Sequence, residues 1–286
     1  MPPSRKRRLD INSSGSPSKI SLIEIERLKS HEEVIERQVH EITSEIRSEN
    51  KVRDPLIVDD KKYIILDGMH RYDSLKKLGC VFAPCYIVDY DSPEIKVGSW
   101  FRFSKIDDYD SVAQKVLDEL QLTYEKKARA DNINFNRTLI ITKSSVFEQT
   151  EPSDALYKTN LAVKIEKALI RQGFKIQYEP ENTMKQRLET NDANIVIPLP
   201  IFTKTDIRRI ALSGQLLPHK VTRHLIPFRP LCLNVPLPLL LDRSENIRDA
   251  NKKLDAFLSG RRIDRKPPGS IIDGRRYQEE LLVFST

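Results

Sequence analysis

The sequence predicts an α/β chain of the mixed (α+β) kind, on three observations. First, residues 63–79 read as a short strand, a glycine corner and a helix. Tyr63, Ile64, Ile65 and Leu66 form a β-type apolar run too short to be a helix by itself. Tyr72, Leu75 and Leu78 then recur at helical spacing, and Gly79 follows as the usual C-terminal stop. Second, strand-like and helix-like runs alternate in the order β-α-β-β-α-β as far as Asp89, and an α/β pattern resumes from Leu156. Third, 286 residues, 39% of them hydrophobic and 31% charged, suffice for one large core or two modest ones.

Taken in order, residues 1–19 are rich in Pro, Ser, Gly and basic residues and are expected to be a disordered basic tail. Residues 20–28 should form the first strand. Ser30 and Glu33 have the spacing of a capping box, which would place His31 and Glu32 on the first turn of a helix with the stripe Ile35, Val39, Ile42 and Ile46. A glutamate there can simply complement the helix dipole, or it can serve as a general base. Residues 55–58 resume as a strand, joined by the hairpin Asp59, Asp60, Lys61, Lys62 to the strand before Gly68. Residues 81–89 give a further strand, which Pro84 would confine to an edge or an irregular start.

Ser99 and the single tryptophan, Trp100, come next, followed by a helix at 110–122 and a strand at 138–142. A helix at 158–172 stops at Gly173, strands follow at 174–178 and 194–199, and a capped helix spans 203–214. In residues 217–227, Pro218 and Pro227 bracket His219, Lys220, Thr222, Arg223 and His224 with no acid nearby. Such donors suit an anion, although by itself the segment also reads as a polar surface loop. Residues 231–241 are apolar and proline-rich, 244–260 form an amphipathic helix, 261–276 are basic and turn-rich, and 279–284 could add a last strand. The expected division is a tail (1–19), a nucleotide-binding core (20–105), a second α/β domain (106–215), and a closing loop with a C-terminal extension (216–286).

Composition narrows the function classes. No apolar run approaches the ~20 residues that span a bilayer, and no apolar segment follows the basic start, so a cytoplasmic protein is expected. Cys80, Cys85 and Cys232 show no metal or disulfide spacing, and the first two are expected to be buried thiols. Of the net charge of +7, four positive charges (Arg5, Lys6, Arg7 and Arg8) lie in the tail. Contact with nucleic acid is therefore expected only as non-specific binding by that tail, and no membrane partner is expected. Small anionic substrates account equally well for the mild basic excess.

The glycine corner carries the chemistry. A strand-turn-helix junction leaves unpaired N–H groups at the helix start, a seat for phosphate. Here Asp67, Gly68, Met69, His70 and Arg71 place a carboxylate, an imidazole and a guanidinium on that seat. From the pattern alone, Asp-Gly is equally a hairpin signal and His-Arg equally a solvated helix cap.

The run Asp67-Gly68-Met69-His70-Arg71, followed by an amphipathic helix and Leu78-Gly79, resembles the nucleotide motif of the ParB/sulfiredoxin superfamily. With His31-Glu32 upstream and Lys220-Val221-Thr222-Arg223-His224 downstream in the same order, the chain most resembles the free L-serine kinases over residues 20–241. That resemblance implies a ParB/sulfiredoxin-like N-terminal core with a second, smaller α/β domain closing a cleft. It implies transfer of a phosphoryl group from ADP or ATP, with Mg²⁺, to the hydroxyl of L-serine, giving O-phospho-L-serine. Glu32, Asp67 and His70 take the catalytic positions, with residues 67–71 binding the nucleotide. His31, Ser99, Trp100, Lys220, Thr222, Arg223 and His224 take the substrate positions, and Asp67 is the candidate protein contact for Mg²⁺. Met69 stands where sulfiredoxins carry their cysteine, which argues against sulfinic acid reduction. It also replaces a histidine of the archaeal kinases, leaving the choice between ADP and ATP open. The alternative is a ParB-like nucleotide-dependent DNA-binding or regulatory protein, although no convincing helix-turn-helix follows Tyr90.

Overall fold

The computed structural model describes residues 19–129, 133–151 and 153–285, so the expected basic tail, save Lys19, lies outside the described residues. Two compact units divide the chain. Of the described residues, the first holds those up to Lys96, Ile207–Leu216 and those from His224 onward; the second holds those from Val97 to Asp206 and Leu217–Arg223.

The first unit opens with β1 (Lys19–Glu24), α1 (Glu36–Glu49), β2 (Leu56–Asp59), β3 (Ile65–Asp67), α2 (Met69–Lys77) and β4 (Phe82–Val88). The four strands form one sheet in the order β1-β4-β2-β3, with β4 and β2 parallel and the other pairs antiparallel. The hairpin between β2 and β3 is the expected one. Along α1, Val39 and Ile46 are buried and Ile42 is half-buried. Where α1 meets α2, the buried Ser74 hydroxyl sits 3.0 Å from the Val39 carbonyl, so this polar group is satisfied inside the contact.

One expectation fails here and another holds only in part. The capping box does not form: α1 starts at Glu36, and the Ser30 hydroxyl bonds instead to the Glu32 carbonyl at 3.1 Å. Backbone pairing explains the delay. Lys29 donates to Tyr63 O at 3.0 Å and accepts from Ile65 N at 2.9 Å, which keeps the chain extended beyond the point where local propensity would start a helix. Of the two alternatives for Pro84, the edge fails, since β4 is an interior strand, and the irregular start is what forms. Opposite Pro84, Leu22 turns its own N–H and C=O away, to the Asn251 side chain at 2.8 and 3.1 Å. Pro84 therefore stands at a non-hydrogen-bonded rung with its missing N–H facing β2, whose ladder begins only at the next residue, Cys85.

The second unit comprises β5 (Lys96–Ser104), α3 (Tyr109–Glu119), β6 (Tyr124–Ala128), β7 (Thr138–Thr142), β8 (Ser145–Gln149), α4 (Ala155–Arg171), β9 (Gln177–Pro180), α5 (Met184–Glu189) and β10 (Ile195–Ile197). Its strands follow the order β9-β5-β10-β7-β8-β6, all antiparallel. Every residue of β7 is buried, and α4 turns Leu161, Ala162, Ile165, Ala168 and Leu169 inward. Asp154 caps α4 by accepting from Tyr157 N at 2.8 Å. β6, β8 and α5 escaped the sequence reading; β6 is an edge strand whose Glu125, Lys126 and Lys127 are exposed, so no apolar alternation marks it.

Helix α6 (Lys204–Ser213) carries the chain from the second unit into the first. Its cap is the expected one, with Asp206 N on Thr203 Oγ1 and Thr203 N on Asp206 Oδ2, each at 3.1 Å. Beyond β11 (Thr222–Leu225), the first unit gains β12 (Arg229–Leu231), α7 (Ile247–Leu258), β13 (Arg262–Lys266) and β14 (Leu281–Ser285). β14 runs parallel to β12 and antiparallel to β13. Asn251 of α7 is the side chain that closes the open edge of β1. The segment expected as one extension, 216–286, is thus shared, with 217–223 in the second unit and the remainder in the first. No helix among the described residues is long and apolar enough to cross a membrane.

Candidate functional site

In the first unit, β3 delivers the chain to Gly68, whose φ of +99° suits glycine alone. A Cβ there would lie 2.8 Å from both Leu56 Cδ2 and Arg71 Nη1, so the tight corner also needs the missing side chain. α2 begins at Met69, and its first amides point out of the corner with no helical partner. Arg71 folds back over Gly68: its Nη1 donates to the Pro55 carbonyl at 2.9 Å and its Nη2 lies 4.0 Å from Asp54. His70 accepts from the backbone N–H of Ile35 through Nε2 at 3.0 Å, which places the ring proton on Nδ1.

That bond is one of two that stitch residues 31–35 alongside the corner. In the second, the buried His31 donates through Nδ1 to the Ile65 carbonyl at 2.9 Å. Glu32, 8% exposed, lies between the two stitches. It is therefore held beside the corner by extended backbone rather than by a helical turn.

Asp67 pairs with Arg229, a buried guanidinium that also donates to Glu279 Oε1 at 2.7 Å and to the His224 carbonyl at 3.2 Å. Burial raises the Asp67 carboxyl, but Arg229, with Arg275 and Arg71, outweighs it and holds the group well below the usual carboxylate range. His224 is buried too; its Nε2 sits 2.8 Å from the Tyr90 hydroxyl, and its ring meets His31 edge-on at 5.7 Å. Burial pushes His31 down to about 4. Burial, then the neighbouring His31, pushes His224 down to about 3. Both rings are neutral at pH 7 and serve as interior hydrogen-bonding groups.

The second unit gathers the other expected residues. Lys220 Nζ lies 4.5 Å from the centre of the Trp100 ring, and the Arg223 guanidinium lies 5.7 Å from it. The Ser99 hydroxyl donates to the Val221 carbonyl at 3.0 Å, and Thr222 is buried beside them in the chain. Trp100, Lys220 and Arg223 thus form one cationic, aromatic-backed cluster. His224, expected with them, falls in the first unit.

Among the described residues, no three His, Cys, Asp or Glu side chains are grouped as metal ligands. Asp67 already has a protein cation for its charge. This donor set does not form a protein cage for a divalent ion; a Mg²⁺ held chiefly by nucleotide phosphates would need none.

Sequence reading missed Arg229, Glu279, Tyr90, Arg102 and Glu166, all of which organise these clusters. Two of them left a trace. Arg229 is a lone charge in the apolar stretch 225–233, and Arg102 interrupts Trp100-Phe101-Arg102-Phe103 in a strand.

No family model matches the chain. It is 27% identical to an ATP-dependent L-serine kinase of Desulfurococcus mucosus, over 77% of this chain and 90% of that one. It is also 27% identical to an ADP-dependent L-serine kinase of Thermococcus kodakarensis, over 75% of this chain and 90% of that one. A solved structure of a free serine kinase in complex with AMP superposes with a TM-score of 0.63 at 20% identity, covering 80% of this chain and 98% of the other. The resemblance carried by the three motifs is therefore a resemblance of most of the chain, and the fold is that of the free serine kinases.

Proposed function

We propose that this chain is a free L-serine kinase that moves the terminal phosphoryl group of ADP or ATP to the serine hydroxyl. One observation carries the reading: Glu32 is fastened beside a glycine-cornered helix N-terminus by two hydrogen bonds, His31 to Ile65 and Ile35 to His70. The similarity to L-serine kinases over three quarters of the chain supports it.

Phosphoryl transfer asks a protein mainly for positioning and for charge stabilisation. The amides of Met69, His70 and Arg71 would receive phosphate oxygens at the positive end of α2. His70 Nδ1–H and Arg71 add donors at the same edge. The serine oxygen forms its bond to phosphorus as the bond to the departing nucleotide phosphate breaks, and the hydroxyl proton passes to the Glu32 carboxylate. Asp67, neutralised by Arg229, would orient the corner without repelling the donor. Lys220, Thr222 and Arg223 are assigned to the serine carboxylate or the moving phosphoryl group. Mg²⁺ would accompany the nucleotide and screen its phosphate charge. His31 would brace the extended segment that carries Glu32 through its bond to Ile65, with His224 packed against its ring.

Purified protein given Mg²⁺, L-serine and either nucleotide should form phosphoserine, read by mass spectrometry. Glu32→Gln should lower kcat by about 10²- to 10⁴-fold, the usual worth of a positioned base, while nucleotide binding persists. Full turnover in that variant would remove Glu32 from the mechanism. Absence of phosphoserine with either donor would remove the kinase.

A further inference from the structure

Arg102 projects from β5 into the interior of the second unit and is fully buried. Its charge is matched by Glu166 of α4, with Nε donating to Oε2 at 2.9 Å. Glu166 Oε1 in turn receives the Tyr178 hydroxyl, and the Tyr178 ring lies 5.3 Å from the guanidinium. Three further donors go to backbone. Nη1 reaches the carbonyls of Trp100 at 2.9 Å and Lys220 at 2.8 Å, and Nη2 reaches the carbonyl of His219 at 3.2 Å. The next carbonyl, Val221, is taken by Ser99. Three successive carbonyls of the 219–221 segment are thus fixed from β5.

What those bonds hold is unfavourable by itself. Lys220 has φ of +57°, in the left-handed region that a non-glycine residue with a long side chain rarely occupies. The carbonyls on both sides of that residue are the ones Arg102 grips. A planar fork of five donors can serve a carboxylate and several carbonyls together, whereas an ammonium presents a single point of charge.

We infer that Arg102, neutralised by Glu166, which Tyr178 holds in place, is the positioning residue that locks the left-handed turn at Lys220 and so aims Lys220 and Arg223 across the face of Trp100 for an anionic substrate group. This rests on the assignment of that cluster to substrate, and it gives the buried pair a task beyond stability. Glu181 adds to the frame: it bonds the Ser99 amide at 3.0 Å and approaches so closely that a Cβ on Gly98 would lie 2.5 Å from its Oε1.

The test uses Arg102→Lys and the milder Tyr178→Phe, which removes one hydroxyl and should leave a folded protein. In each, the KM for L-serine should rise, by about tenfold in Arg102→Lys and less in Tyr178→Phe, with the KM for nucleotide little changed. Independently of turnover, acrylamide should quench the fluorescence of Trp100, the only tryptophan, more readily in both variants as the overlying cations loosen. A purely structural pair would lower the melting temperature and move neither readout. Folded variants with wild-type serine KM and wild-type quenching would overturn the inference. If the wild type makes no phosphoserine, the kinase reading fails, and the quenching of Trp100 still decides whether Arg102 holds the turn.

Discussion

Among the buried titratable groups of the first unit are two imidazoles and a guanidinium shared between carboxylates. Among those of the second are a guanidinium matched one to one by Glu166 and a lysine with no hydrogen-bond partner for its Nζ among the described residues. His31 and His224 avoid the cost of burial by giving up their charge, and each offers a nitrogen to a neighbour at 2.8–2.9 Å. Arg229 and Arg102 cannot give up theirs, so each is surrounded by acceptors. Lys158 follows the imidazole route with a group that ordinarily titrates far higher: burial pushes it down to about 7. Shedding charge suits a histidine well and a lysine poorly, which makes the interior of the second unit the more sensitive to pH above neutrality.

The comparison breaks most visibly at Arg229. Arg229→Met would strand Asp67 and Glu279 and should cost about 3 kcal/mol in denaturant unfolding. That is the low end for a broken buried pair, because the Asp67 side chain remains 39% exposed and water screens it. A loss below about 0.5 kcal/mol, the scale of an exposed pair, would mean that the cluster does not hold the corner.

Lys158→Met should act in the opposite direction. Between pH 7 and 10.5 the unfolded chain keeps a proton that the folded lysine has released, so stability rises with pH across that window and the penalty is full below it. Removing the lysine should gain about 2 kcal/mol at pH 7 and flatten the slope above it. A destabilised variant with the slope intact would show that the ammonium is solvated after all.

The smallest effect belongs to the imidazoles. Their depressed values mean that the unfolded state binds more protons from pH 6.5 down to about 3–4, so the first unit should lose stability as pH falls through that range. His31→Gln, which can still donate to Ile65, should recover about 1 kcal/mol at pH 5 relative to wild type. Equal acid sensitivity in both proteins would exclude His31 as a source of it.

Much of the fold could be read locally. The corner at Gly68, helix α2 with its stop before Gly79, the α6 cap and the stripe of α1 each follow from short-range rules of φ, capping and periodicity. The same rules mislead where distant backbone competes. Ser30 offered a cap that pairing between Lys29 and residues 63–65 did not allow, and Pro84, read as an edge or an irregular start, proved to be an irregular start within an interior strand.

The sequence by itself determined which residue types stand together at the corner: a glycine turn, a helix start, and an acid, imidazole and guanidinium in fixed order. These are local, because helix geometry and glycine's φ act within a few residues. Only the tertiary structure decided how each charge is compensated. Arg102 finds Glu166 across 64 residues and Arg229 finds Asp67 across 162, and no local pattern encodes a partner that distant. Desolvation makes those choices compulsory, since a buried charge must be matched wherever in the chain its counterpart lies.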